Sequence, residues 1–549
     1  MTVDEKIEVE NEEGVRKGFD LDMILTTEVG QFGPYQIFMV FLATFPVIFS
    51  ALAAGEYIFT TSRIPTRCLI PECDDVVPSY VPEWLLNAIP GSSLSSFDNC
   101  RRFANSSSVG SPIPGQCPAD WFDRSQEVLC EDFVYENQLS IVYDFGLACD
   151  EWKRSQIGSI RTIGTLLVLP ITGYISDRWG RRIALIINAF NTGWLGLVRS
   201  FVHSYDWFLI TEVIESTIGA GAFSSCYILV TELVGPKYRV IVGTTMSTMF
   251  AVGQVILGLI AWAVPAWRPL TQILYAPQLL IIFYFWIMSE SVRWLMSKGR
   301  YDESEVILRK AARMNKRMLS EKSLQALRAT AEAEKLKEKP NEAWLAIQVI
   351  RSRRILLRCI VSPIWWITNT LVYYGMSINA VNLSGNRYLN YVYVALVEIP
   401  GYWTAILLLD RVGRKPVLVA GYWLCAGCQF AFAFIPSGYY GLSLTFYLIG
   451  KYAIAVVMTS VYIYTAELYP TKYRHSLFAF SSMLGRLGSI TAPLTPALAL
   501  TVWESFPSVL FGSFALLSGA LIFLTPETLG TKLPDTIAEA EQLGVQKRK

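Results

Sequence analysis

The sequence predicts an all-α membrane protein of two similar six-helix bundles. Three observations predict it: apolar runs of membrane-spanning length, a polar punctuation that occurs twice, and one large acidic, cysteine-rich loop. Of the 549 residues, 52% are hydrophobic and 17% charged, too apolar a balance for an ordinary soluble chain. The apolar residues fall in runs of about 20, the length that crosses a hydrocarbon core of roughly 30 Å. Twelve such runs lie near 37–59, 156–175, 183–203, 207–230, 241–263, 267–288, 355–378, 387–409, 416–435, 439–464, 476–500 and 506–525. Residues 1–36 form a polar N-terminal segment with no cleavable signal pattern, 37–288 a first bundle, 289–354 a linker, 355–525 a second bundle, and 526–549 a C-terminal segment.

The punctuation reads DRWGRR at Asp177–Arg182, TELVGPKYR at Thr231–Arg239 and SESVRW at Ser289–Trp294. It returns as DRVGRK at Asp410–Lys415, AELYPTKYR at Ala466–Arg474 and TPET at Thr525–Thr528. The offsets are 410 − 177 = 233, 467 − 232 = 235 and 527 − 290 = 237. Three markers kept in order at one spacing indicate an internal repeat, and a repeated bundle predicts alternating access around a site between the halves. Gly180 permits a tight turn. Asp177, Arg178, Arg181, Glu232 and Arg239, with Asp410, Arg411, Arg414, Glu467 and Arg474, stand at span ends where opposite charges can pair across neighbouring helices and gate the cytoplasmic side.

Segment 61–150 carries Cys68, Cys73, Cys100, Cys117, Cys130 and Cys149, 5 Lys/Arg and 13 Asp/Glu. Six cysteines in one loop suggest an oxidising compartment and up to three disulfides of open pairing. Asn105-Ser106-Ser107 is a glycosylation acceptor that fits the same outside location. Segment 289–358 has 17 Lys/Arg against 9 Asp/Glu and so belongs in the cytoplasm. An even number of spans then places both termini there. Within the linker, 298–340 reads as short amphipathic helices with solvated charges.

Ionisable groups at membrane depth face the bundle interior or a wet cavity. Glu398, Lys451 and Arg486 lie mid-span in the second half, either to contact substrate or to form a structural pair. Trp366 and Tyr373 are seven apart on one helical face, with Tyr374 beside them. Phe223 and Tyr227 are four apart on the fourth span. Glu212 and Glu215 share a face of that span, either coupling proton movement or sitting near water at its end, and Arg161 is a candidate partner. Gln254 reads as glue between helices. Two histidines, no metal-ligand cluster, no nucleophile triad and no phosphate loop leave an enzyme without material. The near-zero net charge of +1 excludes a nucleic-acid partner held by bulk electrostatics, and no cofactor is expected.

The chain resembles the major facilitator superfamily and, within it, solute carrier family 22. The resemblance runs from about residue 19 to 537 through GQFGPYQ, CDEWKR, GYISDRWGRR, SVRWLMSKGRYDESEVILRKAA, NLSGNRYLN, LVEIPGYW and YTAELYPTKYRHS. It implies a plasma-membrane secondary transporter of small organic ions. Glu398 matches a glutamate of the cation- and carnitine-handling branches. Arg486 falls where organic cation carriers have an aspartate and where anion and carnitine-type carriers have arginine. An acid for an ammonium and a base for a carboxylate imply an organic cation or zwitterion as substrate, with an organic anion, or ligand binding without transport, as alternatives. Trp366, Tyr373, Phe223 and Tyr227 match cavity-facing aromatics, which attract ammonium groups by about 0.5–2 kcal/mol. The family usually has arginine at Glu212, so the coupling ion, sodium or proton, stays open.

Overall fold

The protein is described by a computed structural model covering residues 21–94, 96–106, 115–336, 345–436, 438–471, 473–531, 534 and 536–543. Ser107 of the glycosylation acceptor lies outside these residues, as do 1–20 of the N-terminal segment, 337–344 of the linker and 544–549 of the C-terminal segment.

The first half comprises α1 Pro34–Thr60, α2 Glu151–Trp179, α3 Arg181–Arg199, α4 Tyr205–Leu233, α5 Arg239–Ala263 and α6 Trp267–Ile287. The second comprises α7 Arg353–Asn379, α8 Arg387–Val412, α9 Arg414–Phe434, α10 Tyr440–Leu468, α11 Arg474–Thr491 and α12 Phe506–Leu521. Among the described residues, ten helices are long and apolar enough to cross a membrane. The other two expected runs are helical as α3 and α11, whose polar starts lower their average apolarity. Pro46, Pro170, Pro363 and Pro400 sit inside α1, α2, α7 and α8. Proline is tolerated inside a membrane bundle because neighbouring helices re-satisfy the freed carbonyls.

The loop between α1 and α2 folds on three disulfides: Cys68–Cys130, Cys73–Cys117 and Cys100–Cys149. All six predicted cysteines are used, and the pairing left open by the sequence places Cys73–Cys117 within Cys68–Cys130, with Cys100–Cys149 crossing both. Short antiparallel ribbons, Thr66–Cys68 with Phe133–Tyr135 and Arg101–Asn105 with Phe122–Leu129, support them. Inside, Arg67 is fully buried and pairs with Asp74 at 2.6 Å. Asn105 is exposed, its Nδ2 donating to Glu72 Oε1 at 2.5 Å.

At the opposite, linker end the duplicated motifs form one latch twice. Gly180 and Gly413 turn the chain at φ +108° and +114°, a region that favours glycine. Glu290 Oε1 accepts the backbone N–H groups of Arg181 at 2.9 Å, Arg182 at 3.1 Å and Ser291 at 2.8 Å. Glu527 accepts those of Arg414 at 3.0 Å and Lys415, Thr528 and Leu529 at 2.9 Å. A carboxylate from after the sixth helix thus caps the third helix of its own half, where orphan N–H groups and the helix dipole favour an anion. Arg181 joins Asp177 at 2.9 Å and Glu232 at 3.3 Å. Arg414 joins Asp410 at 3.1 Å and Glu467 at 3.0 Å. Ser291 Oγ donates to Glu232, and Thr528 Oγ1 to Glu467 at 2.6 Å. The three sequence markers of each half are therefore one contact network.

The expected pairing across neighbouring helices holds for Glu232 and Glu467. Arg239 instead binds Asp22 together with Arg293, and Arg474 Nη2 donates to Thr471 Oγ1 at 3.1 Å. Arg178 and Arg411 are exposed. These pairs join helices within one half. Linker helix Tyr301–Met314 docks on the first half through Asn315, whose side chain accepts from Tyr35 N at 2.9 Å and donates to Val29 O at 2.9 Å.

The halves meet at the disulfide end. Phe59 stacks on Tyr388 at 5.6 Å and meets Tyr391 edge-on at 5.0 Å. Ser159 Oγ on α2 donates to Ile490 O on α11 at 2.7 Å. A Cβ at Gly158 would stand 2.6 Å from Pro493, and one at Gly55 2.7 Å from the Tyr391 hydroxyl. Further along α5 and α8, Trp403 Nε1 donates to Thr248 Oγ1 at 3.1 Å.

Candidate substrate site

Charged side chains gather at two places inside the bundles. In the second half, Glu398 on α8 and Lys451 on α10 are both fully buried and 3.0 Å apart. The Tyr373 and Tyr402 hydroxyls donate to Glu398 Oε2 at 2.5 and 2.9 Å. Lys451 Nζ also donates to Tyr373 O and Ser377 Oγ, each at 2.7 Å, and stands 3.7 Å from the Tyr373 ring centroid. Two of the three ammonium hydrogens go to Tyr373 O and Ser377 Oγ, and Glu398 Oε1 stands opposite as an ion-pair partner without a hydrogen bond of its own. Lys451 neutralises Glu398 as a fully buried ion pair. Of the two alternatives open in the sequence, the structure displays the internal pair.

Arg486 on α11 is half-buried, and among the described residues it has neither a hydrogen bond nor an ion pair. The Tyr462 hydroxyl on α10 lies within the fields of Arg486, Tyr374 on α7 and Tyr227 on α4. The Tyr462 hydroxyl is thus near enough to Arg486 for the two to interact electrostatically. An unpaired cation at this depth needs an anion or water, because desolvating it alone is costly.

The other predicted aromatics divide. Trp366 is packed away, with its Nε1 donating to Thr465 Oγ1 at 3.0 Å and its rings against Tyr462 at 4.7 Å and Phe478 at 5.5 Å. Tyr373 is committed to Glu398, and meets Tyr374 edge-on at 5.1 Å. Tyr374 is the half-buried member of that pair. Phe223 lies 6.1 Å from Tyr227 and 5.4 Å from Phe250, and Tyr227 remains 37% exposed.

The second group, in the first half, is larger than the sequence suggested. Arg161 does pair with Glu212 and Glu215. Arg199 at the end of α3 joins the same two carboxylates and, at 2.9 Å, Glu56 of α1. Tyr275 Oη accepts from Arg199 at 2.9 Å, and Ala53 O from Arg161 at 2.8 Å. All five charged side chains are 5% exposed or less, which excludes the water-bathed alternative for Glu212 and Glu215 in this state. Glu56 and Arg199 are the residues that sequence reading missed. Each is a charge inside an apolar run, the same signal that marked Glu398.

The sugar (and other) transporter family matches residues 132–537. The chain is 31% identical over 538 residues to an organic cation transporter protein of Drosophila melanogaster, covering 96% of this chain and 95% of that one. It is 29% identical over 540 residues to organic cation/carnitine transporter 2 of Homo sapiens, at 96% and 95% coverage. Against solute carrier family 22 member 4 of Mus musculus it is 30% identical over 532 residues, with 94% of each chain covered. Among solved structures, the inward open conformation of the xylose transporter XylE from E. coli aligns with TM-score 0.58 at 16% identity, covering 90% of this chain and 98% of that one. At that identity the likeness shows the fold, two six-helix bundles of the major facilitator type.

Proposed function

Since the chain belongs to the sugar (and other) transporter family and, within it, to solute carrier family 22, we propose that it carries a small organic zwitterion across the plasma membrane. The relatives are transporters rather than enzymes, and named for organic cations and carnitine. The disulfide-bonded loop faces outside, with Asn105 glycosylated, and the linker and both termini face the cytoplasm. Contacts between the halves at the disulfide end then close the extracellular side. The bundles rock about the central site so that it opens to one side at a time.

Arg486 carries the reading. Its unpaired guanidinium offers a bidentate fork to a carboxylate, and Tyr374, Tyr462 and Tyr227 supply ring faces for an ammonium. Glu398 works with Lys451 as a positioning pair, holding Tyr373 and, through it, Tyr374. Organic anions are the second reading, favoured by the neutralisation of Glu398, which leaves Arg486 as the net charge of the site.

Uptake of radiolabelled carnitine, a quaternary ammonium ion and an aromatic carboxylate by cells expressing the protein tests both. Carnitine uptake that falls at least tenfold in Arg486→Ala at unchanged surface level supports the zwitterion. Uptake of the carboxylate alone transfers the reading to anions, and unchanged uptake in Arg486→Ala and Glu398→Gln removes the site.

A further inference from the structure

The first-half cluster contains one more acid than base. Glu56, Glu212 and Glu215 bring three negative charges and Arg161 and Arg199 two positive, so the fully ionised set has a net charge of 3 − 2 = one negative. It is shut from water by its burial. A net charge in such a place is far less stable than the same set holding one proton.

Geometry identifies the acid that holds it. Glu212 touches both guanidiniums. Glu215 Oε2 accepts from Arg161 at 2.9 Å and Arg199 at 2.7 Å, and its Oε1 from Arg161 at 3.3 Å. Among the described residues, Glu56 meets a single guanidinium nitrogen, Arg199 Nη2 at 2.9 Å, and its other oxygen meets only Thr271 Oγ1 at 2.7 Å. That hydroxyl also stands 2.8 Å from Trp267 O, the carbonyl one turn back in its own helix. A hydroxyl has one hydrogen. With Thr271 donating to Trp267 O, a proton on Glu56 Oε1 is what completes the short contact to Thr271.

The groups around Glu56 are Arg161 on α2, Arg199 on α3, Glu212 and Glu215 on α4, Thr271 and Tyr275 on α6, its neighbour Tyr57, and Tyr391 on α8 across the interface at Gly55. None of these supplies a third cation. The cluster also adjoins the closed extracellular contact. Gly55 precedes Glu56 and abuts Tyr391, and Ser159, bonded to Ile490, lies two residues before Arg161.

We propose that this cluster is a proton-binding site, with the proton on Glu56, taken up when the extracellular side closes and released to outside water when it opens. Closure removes water from a set that only a proton makes neutral, so external acid favours the closed state and alkali the open one. The proposal concerns the gate and uses alternating access alone, so it stands or falls separately from the identity of the substrate.

The experiment measures the distance between spin labels at Ser62 and Arg387, which face each other across the gate with 3.4 Å between Oγ and Nη1. It uses the full-length protein in lipid nanodiscs without substrate, from about pH 5 to pH 9, an interval wide enough for a one-proton transition. The expected wild-type result is a shift from closed to open populations as pH rises, changing about tenfold per pH unit at its steepest, as one proton requires. Glu56→Gln, which keeps the shape but cannot ionise, loses the dependence and stays closed. Glu215→Gln loses it too with Glu56 intact, because two acids then balance two bases. A wild-type gate population independent of pH, or a wild-type pH dependence in either variant, overturns the proposal.

Discussion

Replacing Lys451 by methionine leaves the Glu398 carboxyl fully buried without its cation, with the Tyr373 and Tyr402 hydroxyls as its donors among the described residues. Breaking a buried pair by removing one partner costs about 3–5 kcal/mol. Glu398→Gln leaves the Lys451 ammonium with Tyr373 O, Ser377 Oγ and the Tyr373 ring, which softens its loss to about 3 kcal/mol by the same reasoning. The double variant removes both charges and retains hydrogen-bonding atoms beside the two tyrosines. Since an apolar or neutral substitute for a buried pair is often close to neutral, its loss is about 1–2 kcal/mol. The singles together therefore exceed the double by an interaction energy of about 4–7 kcal/mol, above the roughly 0.5–3 kcal/mol usual for contacting residues. Denaturant unfolding of the purified protein in mixed micelles, followed by tryptophan fluorescence, measures the cycle. Uptake by the same three variants separates support from recognition. A double variant as unstable as the sum of the singles refutes the pair as a structural unit. A stable double variant that no longer transports refutes Glu398 as a positioning residue and makes it a ligand.

Two further outcomes concern the latches. Gly180→Ala forces a side chain into positive φ and against Glu290 Oε2, whereas a Cβ at Gly413 would stand 2.9 Å from Glu527 Oε2. Both lose about 1–3 kcal/mol, Gly180→Ala more, as lower thermal stability with reduced surface expression. The glutamates also respond oppositely to acid. Burial raises the Glu290 carboxyl despite its backbone donors. Burial acts the same way on Glu527, but N–H groups of Leu529, Lys415, Arg414 and Thr528 outweigh it and hold that carboxyl below the usual range. A raised value makes the folded state bind its proton first, so the Glu290 contribution grows from neutral pH downward and is complete below about pH 4.3, the unfolded value. A lowered value makes the Glu527 contribution complete above about pH 4.3 and lost as pH falls through the folded value. Thermal stability against pH should flatten above that point in Glu290→Gln and below it in Glu527→Gln.

Much of this architecture is written in the sequence because spans and repeats obey local rules. An apolar run has to be about 20 residues long, and Asp177–Arg182 and Asp410–Lys415 announce themselves by recurrence. The pairing of Arg161 with Glu212 and Glu215 was legible from charge at membrane depth. The partners of Arg239 were not, because Asp22 is 217 residues away and no periodicity links a polar leader to a helix start. Glu398 was recognisable as buried, but its pairing with Lys451 depends on which side chains three separate helices turn toward one point. Trp366 and Tyr373 share a helical face, yet one packs against α10 and α11 and the other serves Glu398. Heptad spacing cannot separate those fates.

The glutamate caps also bear on how the chain is made. The third helix of each half receives its cap from a residue more than 100 positions later, Glu290 for Arg181 and Glu527 for Arg414. A half leaving the ribosome holds an uncapped helix start until its sixth helix has emerged. The first six helices can then be sealed by Glu290 while the second six are still unsynthesised, as expected when N-terminal units fold first. Each latch doubles as an assembly checkpoint, and a defect at Glu290 should expose an unfinished half to quality control before its partner exists.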